Sequence, residues 1–177
     1  MKNIVAIDVG NSETTVGVGN NLSWRSYRYT TRKTITSDEL FMMFKTTIDP
    51  ESINDENLDG SIICSVVPQI TESVVEATER FTSKKVYTVG PGIKTGLKVN
   101  IDNPKELGPD RIANSVGGFK MAQKSVIIVD LGTATTFDVV NDKKEYLGGS
   151  IAPGIKISLE ASVSYTHLRA HETQPYL

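Results

Sequence analysis

Cysteine, histidine, long apolar runs and any excess of one charge are all scarce in this sequence. Cys64 is the only cysteine among 177 residues, so an intrachain disulfide is excluded, which fits a reducing cytosol. It stands inside the apolar run Ser61-Ile-Ile-Cys-Ser-Val-Val67, where a thiol usually serves as a small buried hydrophobe. No run approaches the ~18 apolar residues of a membrane span. The opening Met1-Lys-Asn-Ile-Val-Ala-Ile-Asp8 carries one positive charge, and its aspartate arrives too early for the apolar core of a signal peptide. A formal charge of -2 and a pI near 5.7 give no basic field to gather phosphate backbones or an anionic membrane. The expectation is a cytoplasmic protein with neither nucleic acid nor membrane as partner. What is present is ordinary for a globular chain: 38% hydrophobic and 23% charged residues, enough apolar surface for a core.

Periodicity gives the order of elements. Asn3 to Val9 reads as a buried strand running into Asp-Val-Gly-Asn, a turn. Thr14 to Gly19 and Leu22 to Thr30, rich in β-branched and aromatic residues, read as two more strands joined at Asn20-Asn21. Thr36-Ser-Asp-Glu39 has the form of a capping box ahead of Leu40-Phe-Met-Met-Phe44, so a helix of about three turns is expected. A polar loop, Asp49 to Gly60, leads to a strand over Ser61 to Val67 that Pro68 stops. A helix follows over about Thr71 to Phe81, then a strand at Val86 to Val89 and a Gly-Pro-Gly turn at 90–92. A further helix is expected from near Pro109 to about Met121. The order βββαβαβα is that of a ribonuclease H-like half, in which antiparallel strands feed a mixed sheet covered by helices.

The pattern then restarts. Ser125 to Asp130 reads as a buried strand, and Asp130-Leu-Gly-Thr-Ala-Thr-Thr-Phe-Asp-Val-Val140 can be laid over Asp8-Val-Gly-Asn-Ser-Glu-Thr-Thr-Val-Gly-Val18. The two aspartates are 122 residues apart, so the repeat is one domain long. The expected fold class is α/β, a duplicated actin-like ATPase fold of two ribonuclease H-like domains. Only 47 residues follow Asp130, so the second domain is expected to be incomplete. The expected division is a first domain over 1–120, the start of a second over 121–161, and a tail over 162–177.

Four segments carry candidate chemistry. In the first loop, Gly10 lets backbone come close to a ligand, Asn11, Ser12, Thr14 and Thr15 offer short polar groups, and Asp8 can hold a metal-bound water beside a phosphate. A hairpin with a polar tip is the plain alternative for that loop alone. Its second copy, Asp130-Leu-Gly-Thr133, favours a pair of loops clasping the phosphates of one nucleotide. In Gly108-Pro-Asp-Arg111, proline suits the first helical position, which puts Asp110 and Arg111 in the first turn, where the helix field favours an ionised carboxylate ready to accept a proton. An acidic residue that merely improves a helix start is the plain alternative there. In Tyr146-Leu-Gly-Gly-Ser-Ile-Ala-Pro-Gly154, Gly148 and Gly149 allow close backbone approach, and an incipient helix follows at Ile155 to Ala161.

In order and spacing these segments match D-x-G-N-S/T, G-x-D-R, D-x-G-T-A-x-T and G-G-x-I-x-P-G, and residues 1 to about 161 resemble the type III pantothenate kinase family. The resemblance implies ATP-dependent phosphorylation of pantothenate to 4'-phosphopantothenate, the first step of coenzyme A biosynthesis, by a homodimer. It implies that Asp8, Val9, Gly10, Asn11, Ser12, Glu13, Thr14, Thr15 and Thr133 contact ATP, delivered with Mg2+. Gly108, Pro109, Asp110 and Arg111 would hold pantothenate, with Asp110 as general base. Asp130 would bind a monovalent cation, K+ or NH4+. A non-catalytic nucleotide-binding or regulatory relative of the same fold is the alternative, and an aspartate beside an arginine in the third segment favours the enzyme.

The chain departs from the family pattern in three places. Pro109 stands where the family often has alanine, and Val99-Asn-Ile101 where many members place a tyrosine. After Ala161 the sequence shows no helical or strand periodicity and resembles translated cloning sequence. Both histidines, His167 and His171, fall there at i, i+4 spacing, but no third ligand or H-E-x-x-H pattern makes them a metal pair. A chain ending in this way is expected to be inactive by itself.

Overall fold

The computed structural model describes residues 2–49, 53, 57–90 and 93–170. The chain folds as two compact units, Met1–Thr95 with Lys105–Ala113, and Gly96–Pro104 with Asn114–Leu177.

The first unit is built on strands β1 (Asn3–Val9), β2 (Glu13–Gly19), β3 (Trp24–Thr30), β4 (Leu58–Ser65) and β5 (Val86–Thr88), in the order β3-β2-β1-β4-β5. The first three pair antiparallel, and β4 and β5 add in parallel beside β1. Alternation along β1 and β2 sends Val5, Ile7, Val9, Val16 and Val18 to one face. Helices α1 (Ser37–Thr47) and α2 (Pro68–Thr82) cover that face, and Leu40, Phe44, Ile70, Val74 and Ala77 join the same buried cluster.

The capping box forms as the sequence predicts: the Thr36 hydroxyl accepts from Glu39 N, and the Glu39 carboxylate accepts from Thr36 N. α2 begins three residues earlier than expected. Pro68 does not merely stop β4; it is tolerated in the opening turn because it has no N–H to leave unpaired. β3 begins at Trp24 because Asn20 organises the preceding turn, donating from its N to Ser23 O and accepting from Leu22 N on its side chain. Of the expected turn at 90–92, positions 91 and 92 lie outside the described residues, as does most of the loop between Asp49 and Gly60.

The second unit holds a four-stranded sheet in the order β6-β9-β8-β7, from β6 (Lys98–Val99), β7 (Val126–Leu131), β8 (Ala134–Val140) and β9 (Glu145–Pro153). β7, β8 and β9 repeat the antiparallel arrangement of β1, β2 and β3. The repeat is not gapless. Four residues lie between the last pair of β1 and β2, Val9 and Thr14, and three lie between Leu131 and Thr135. Thr14-Thr15-Val16 therefore corresponds to Thr135-Thr136-Phe137, one residue short of the ungapped overlay.

The short strand β6 was not expected. It adds in parallel to β9 and is tied by Lys98 Nζ to Glu145 Oε1 at 2.7 Å and Asn100 N to Tyr146 O at 2.9 Å. α3 (Pro109–Ala122) matches its predicted span, and a single turn of 3-10 helix at Pro104–Glu106 precedes it. α4 (Ile155–Ala170) runs nine residues beyond the helix expected from the sequence. Its described apolar side chains Ile155, Ile157 and Leu159 are all exposed, which explains why no amphipathic period marked its extent. His171 and the side chain of His167 lie outside the described residues. Among the described residues no helix is long and apolar enough to cross a membrane.

Candidate functional site

The first loop is tightly defined. Gly10 N donates to Glu13 O at 3.0 Å, closing the turn, and Thr31 clamps it from β3's far end, donating from N to Ser12 O at 3.0 Å and from Oγ1 to Gly10 O at 2.8 Å. Thr14 and Thr31 share a hydroxyl contact at 2.8 Å, so Thr14 is buried in the clamp while Asn11, Ser12 and Glu13 remain exposed at the tip. The predicted residues Asp8 to Thr15 are thus brought together, with Thr14 as their structural member.

Asp8 points to the face away from α1 and α2, opposite Cys64 of the parallel neighbour β4. Beside it lies a concavity of about 300 Å³ whose lining includes Ala6, Asp8, Thr15, Gly17, Trp24 and Cys64. Burial pushes the Cys64 thiol up to about 12, and the nearby carboxylates of Asp8 and Asp110 add to the effect. Asp8 and Asp110, widely separated in sequence, therefore act on one thiol within the first unit. In the sequence Cys64 is marked only as a member of an apolar strand, and its place beside the two aspartates is a product of the fold.

Asp110 sits in the first turn of α3. Ile112 N donates to Gly108 O at 3.1 Å, the first hydrogen bond of the helix, and Arg111 N donates to Asp110 Oδ1 at 2.8 Å. The carboxylate folds back over Gly108. A Cβ built on Gly108 would press on Asp110 Oδ1 far inside van der Waals contact. Gly108 is therefore what gives Asp110 its position, and Gly108, Pro109, Asp110 and Arg111 form one half-buried cluster.

In the second unit, Gly132 N donates to Ala134 O at 3.0 Å and closes the shorter loop, leaving Thr133 exposed. Asp130 Oδ2 accepts from Asn114 Nδ2 at 2.8 Å. Asn114 lies one turn along α3 from Asp110, on the same side of the helix, and that i, i+4 spacing is its local signal in the sequence. Gly154, at the start of α4, packs on this loop: a Cβ there would come within 2.5 Å of Gly132 O and 2.8 Å of Thr133 C. A second residue missed is Asp138, which is fully buried and accepts from Tyr146 Oη at 2.7 Å, with Thr136 Oγ1 at 3.4 Å. Among the described residues no group of three or more His, Cys, Asp or Glu side chains is gathered to hold a metal. Asp8 and Asp130, each outside any such cluster, are of the kind that suits a cation taking most of its ligands from phosphates and water.

Sheet order, the restarted hairpin and a polar loop at the end of each leading strand define a ribonuclease H-like protein of the actin-like ATPase class. Solved structures agree on the fold. A Ppx/GppA family member from Aquifex aeolicus superposes with a TM-score of 0.51 at 13% identity, covering 90% of this chain and 54% of that one. The ethanolamine utilization protein EutJ from Carboxydothermus hydrogenoformans gives 0.51 at 11% identity, covering 94% and 58%.

Within that class the chain belongs to the type III pantothenate kinase family, whose model matches residues 4–171. A type III pantothenate kinase from Pelobacter propionicus is 47% identical over 161 residues, 89% of this chain and 63% of that protein. Another, from Syntrophotalea carbinolica, is 42% identical over 160 residues, 89% of this chain and 62% of that protein. The chain thus spans less than two thirds of the length of these relatives.

Proposed function

We propose that the whole protein transfers the γ-phosphoryl group of ATP to pantothenate, in the cytoplasm and as a homodimer, and that Asp110 is the general base. The observation that carries this reading is the Gly108/Asp110 arrangement, a carboxylate held at a helix start beside Arg111 in a chain of this family. Asp110 takes the proton of the primary hydroxyl as that oxygen attacks the γ-phosphorus. The new P–O bond forms as the bond to the β-phosphate oxygen breaks, and ADP leaves. The loop donors of residues 8–15 and Thr133 steady the charge on the transferring group. Arg111 is suited to fork onto the substrate carboxylate. Mg2+, held by the phosphates and Asp8, and a monovalent cation at Asp130 would supply further charge neutralisation.

The test is ADP release on addition of pantothenate, measured in a chain carried to the length of the relatives. A positioned base contributes roughly 10²–10⁴ in rate, so Asp110→Asn is expected to lose that much of kcat with its melting temperature kept. Unchanged turnover would remove Asp110 from the mechanism. For the 177 residues alone we favour inactivity, because the second sheet leaves Ile127, Val129 and Leu131 exposed. Micromolar ATP affinity by calorimetric titration of this chain would refute that.

A further inference from the structure

Within the second unit, α3 touches β7 at two places one helical turn apart. Gly118 meets Ile128, so closely that a Cβ built on Gly118 would stand 2.5 Å from Ile128 Cγ1. One turn back along the helix, Asn114 meets Asp130, its Nδ2 donating to Asp130 Oδ2 at 2.8 Å. The two contacts follow from two periods: residues four apart share a side of a helix, and residues two apart share a face of a strand. The close approach at Gly118 lets a side chain as short as asparagine span from helix to strand.

Among the described residues Asn114 is the one hydrogen-bond partner of the Asp130 carboxylate, and no lysine or arginine pairs with it. An amide donates without carrying a charge, so it orients the carboxylate and leaves the charge uncancelled. The other oxygen, Oδ1, is turned toward the second loop: a Cβ built on Gly132 would stand 3.8 Å from it. A carboxylate pinned through one oxygen, with the second presented to a polar loop, is arranged to take a cation in a fixed direction. Partners that pin a ligating group in this way typically govern metal affinity by about 10- to 100-fold. We infer that Asn114 is the positioning residue for Asp130, and that it sets how tightly the second loop holds a monovalent cation because it is a neutral donor. This rests on the cation assigned to Asp130 in the proposed reaction; Asn114 itself touches neither substrate.

The test uses a chain carried to the length of the relatives. Its melting temperature is followed against KCl in the presence of ATP and Mg2+, with tetramethylammonium chloride holding the ionic strength constant, and coupled ADP release is measured on the same preparation. K+ is expected to raise the wild-type melting temperature to a plateau. Asn114→Ala should need roughly 10- to 100-fold more K+ for half of that rise, with the KM for pantothenate unchanged. Alanine suits a helix interior better than asparagine, so the variant should fold. Asn114→Lys puts an ammonium where the amide stands, able to pair with Asp130 directly, and its melting temperature should no longer respond to K+. A bond that merely ties α3 to β7 would lower the melting temperature of both variants and leave the half-saturating K+ concentration at the wild-type value. That result overturns the inference, and so does a wild-type protein whose melting temperature ignores K+. The thermal readout needs no turnover. A protein with the expected K+ responses that releases no ADP on addition of pantothenate would therefore refute the kinase reading and leave the role of Asn114 standing.

Discussion

Gly108→Ala is the substitution that best separates position from stability in this protein. The added methyl would sit closer than 3.0 Å to Asp110 Oδ1, a separation real Cβ atoms essentially never show, while Asp110 Cγ remains at 3.6 Å. The obstruction is one oxygen at the end of a rotatable side chain. It is relieved by moving the carboxylate about 1 Å, at the expense of its hydrogen bond from Arg111 N. That bond is worth about 1 kcal/mol net, and alanine recovers part of it by restricting the unfolded chain. The melting temperature should therefore move by no more than about 4 °C. Catalysis is far more sensitive, since a misplacement of about 1 Å costs roughly 10²-fold in rate. The assay is coupled ADP release at saturating ATP and pantothenate in the relatives' full length, paired with thermal unfolding of the same preparation. A fall in kcat of that size with a nearly unchanged melting temperature is expected. Full activity in Gly108→Ala would refute the argument, because it would mean that the place of the Asp110 carboxylate does not matter.

Two further outcomes can be read on the 177-residue chain itself. Gly154→Ala forces a methyl against backbone atoms of Gly132 and Thr133, which cannot rotate away, and should cost about 1–3 kcal/mol. Gly117→Ala in α3 meets nothing within 4 Å and should gain about 0.5–1 kcal/mol; urea titrations giving both variants the same sign would contradict this packing. With Cys64 pushed up to about 12 by burial and by Asp8 and Asp110, the folded chain should react with iodoacetamide at pH 9 roughly 10³-fold more slowly than a free thiol. The folded state keeps a proton that the unfolded thiol loses, so this group subtracts stability as pH rises above about 9. Alkylation at pH 9 as fast as that of a model thiol would exclude the placement.

The first unit and both loops were legible because their signals are local. A capping box, a proline in the opening turn and a glycine in a tight loop declare themselves within a few residues, and Thr36, Pro109 and Gly10 all stand where the sequence put them. What escaped depends on partners distant in the chain. β6 is two residues long and exists only because β9 offers it an edge. The Asn114 to Asp130 bond and the buried Asp138 with Tyr146 join residues of different elements. The Asp8, Cys64 and Asp110 neighbourhood is likewise tertiary. The full length of α4 is not legible because no apolar stripe runs along it.

The two hairpin loops differ in length by one residue, and where that difference falls matters for the sheet beneath them. A deletion inside a strand would have turned every later side chain to the opposite side of the sheet. Here the one-residue difference falls in the turn, so Val16 and Phe137 face the same way although the two copies do not align without a gap. The hairpin tips were thus free to become different tools while the pleat beneath them was held in phase. The two halves are a matched pair of frames carrying unmatched loops, and transplanting the Gly10 to Glu13 tip into the second half would import the extra residue along with its chemistry.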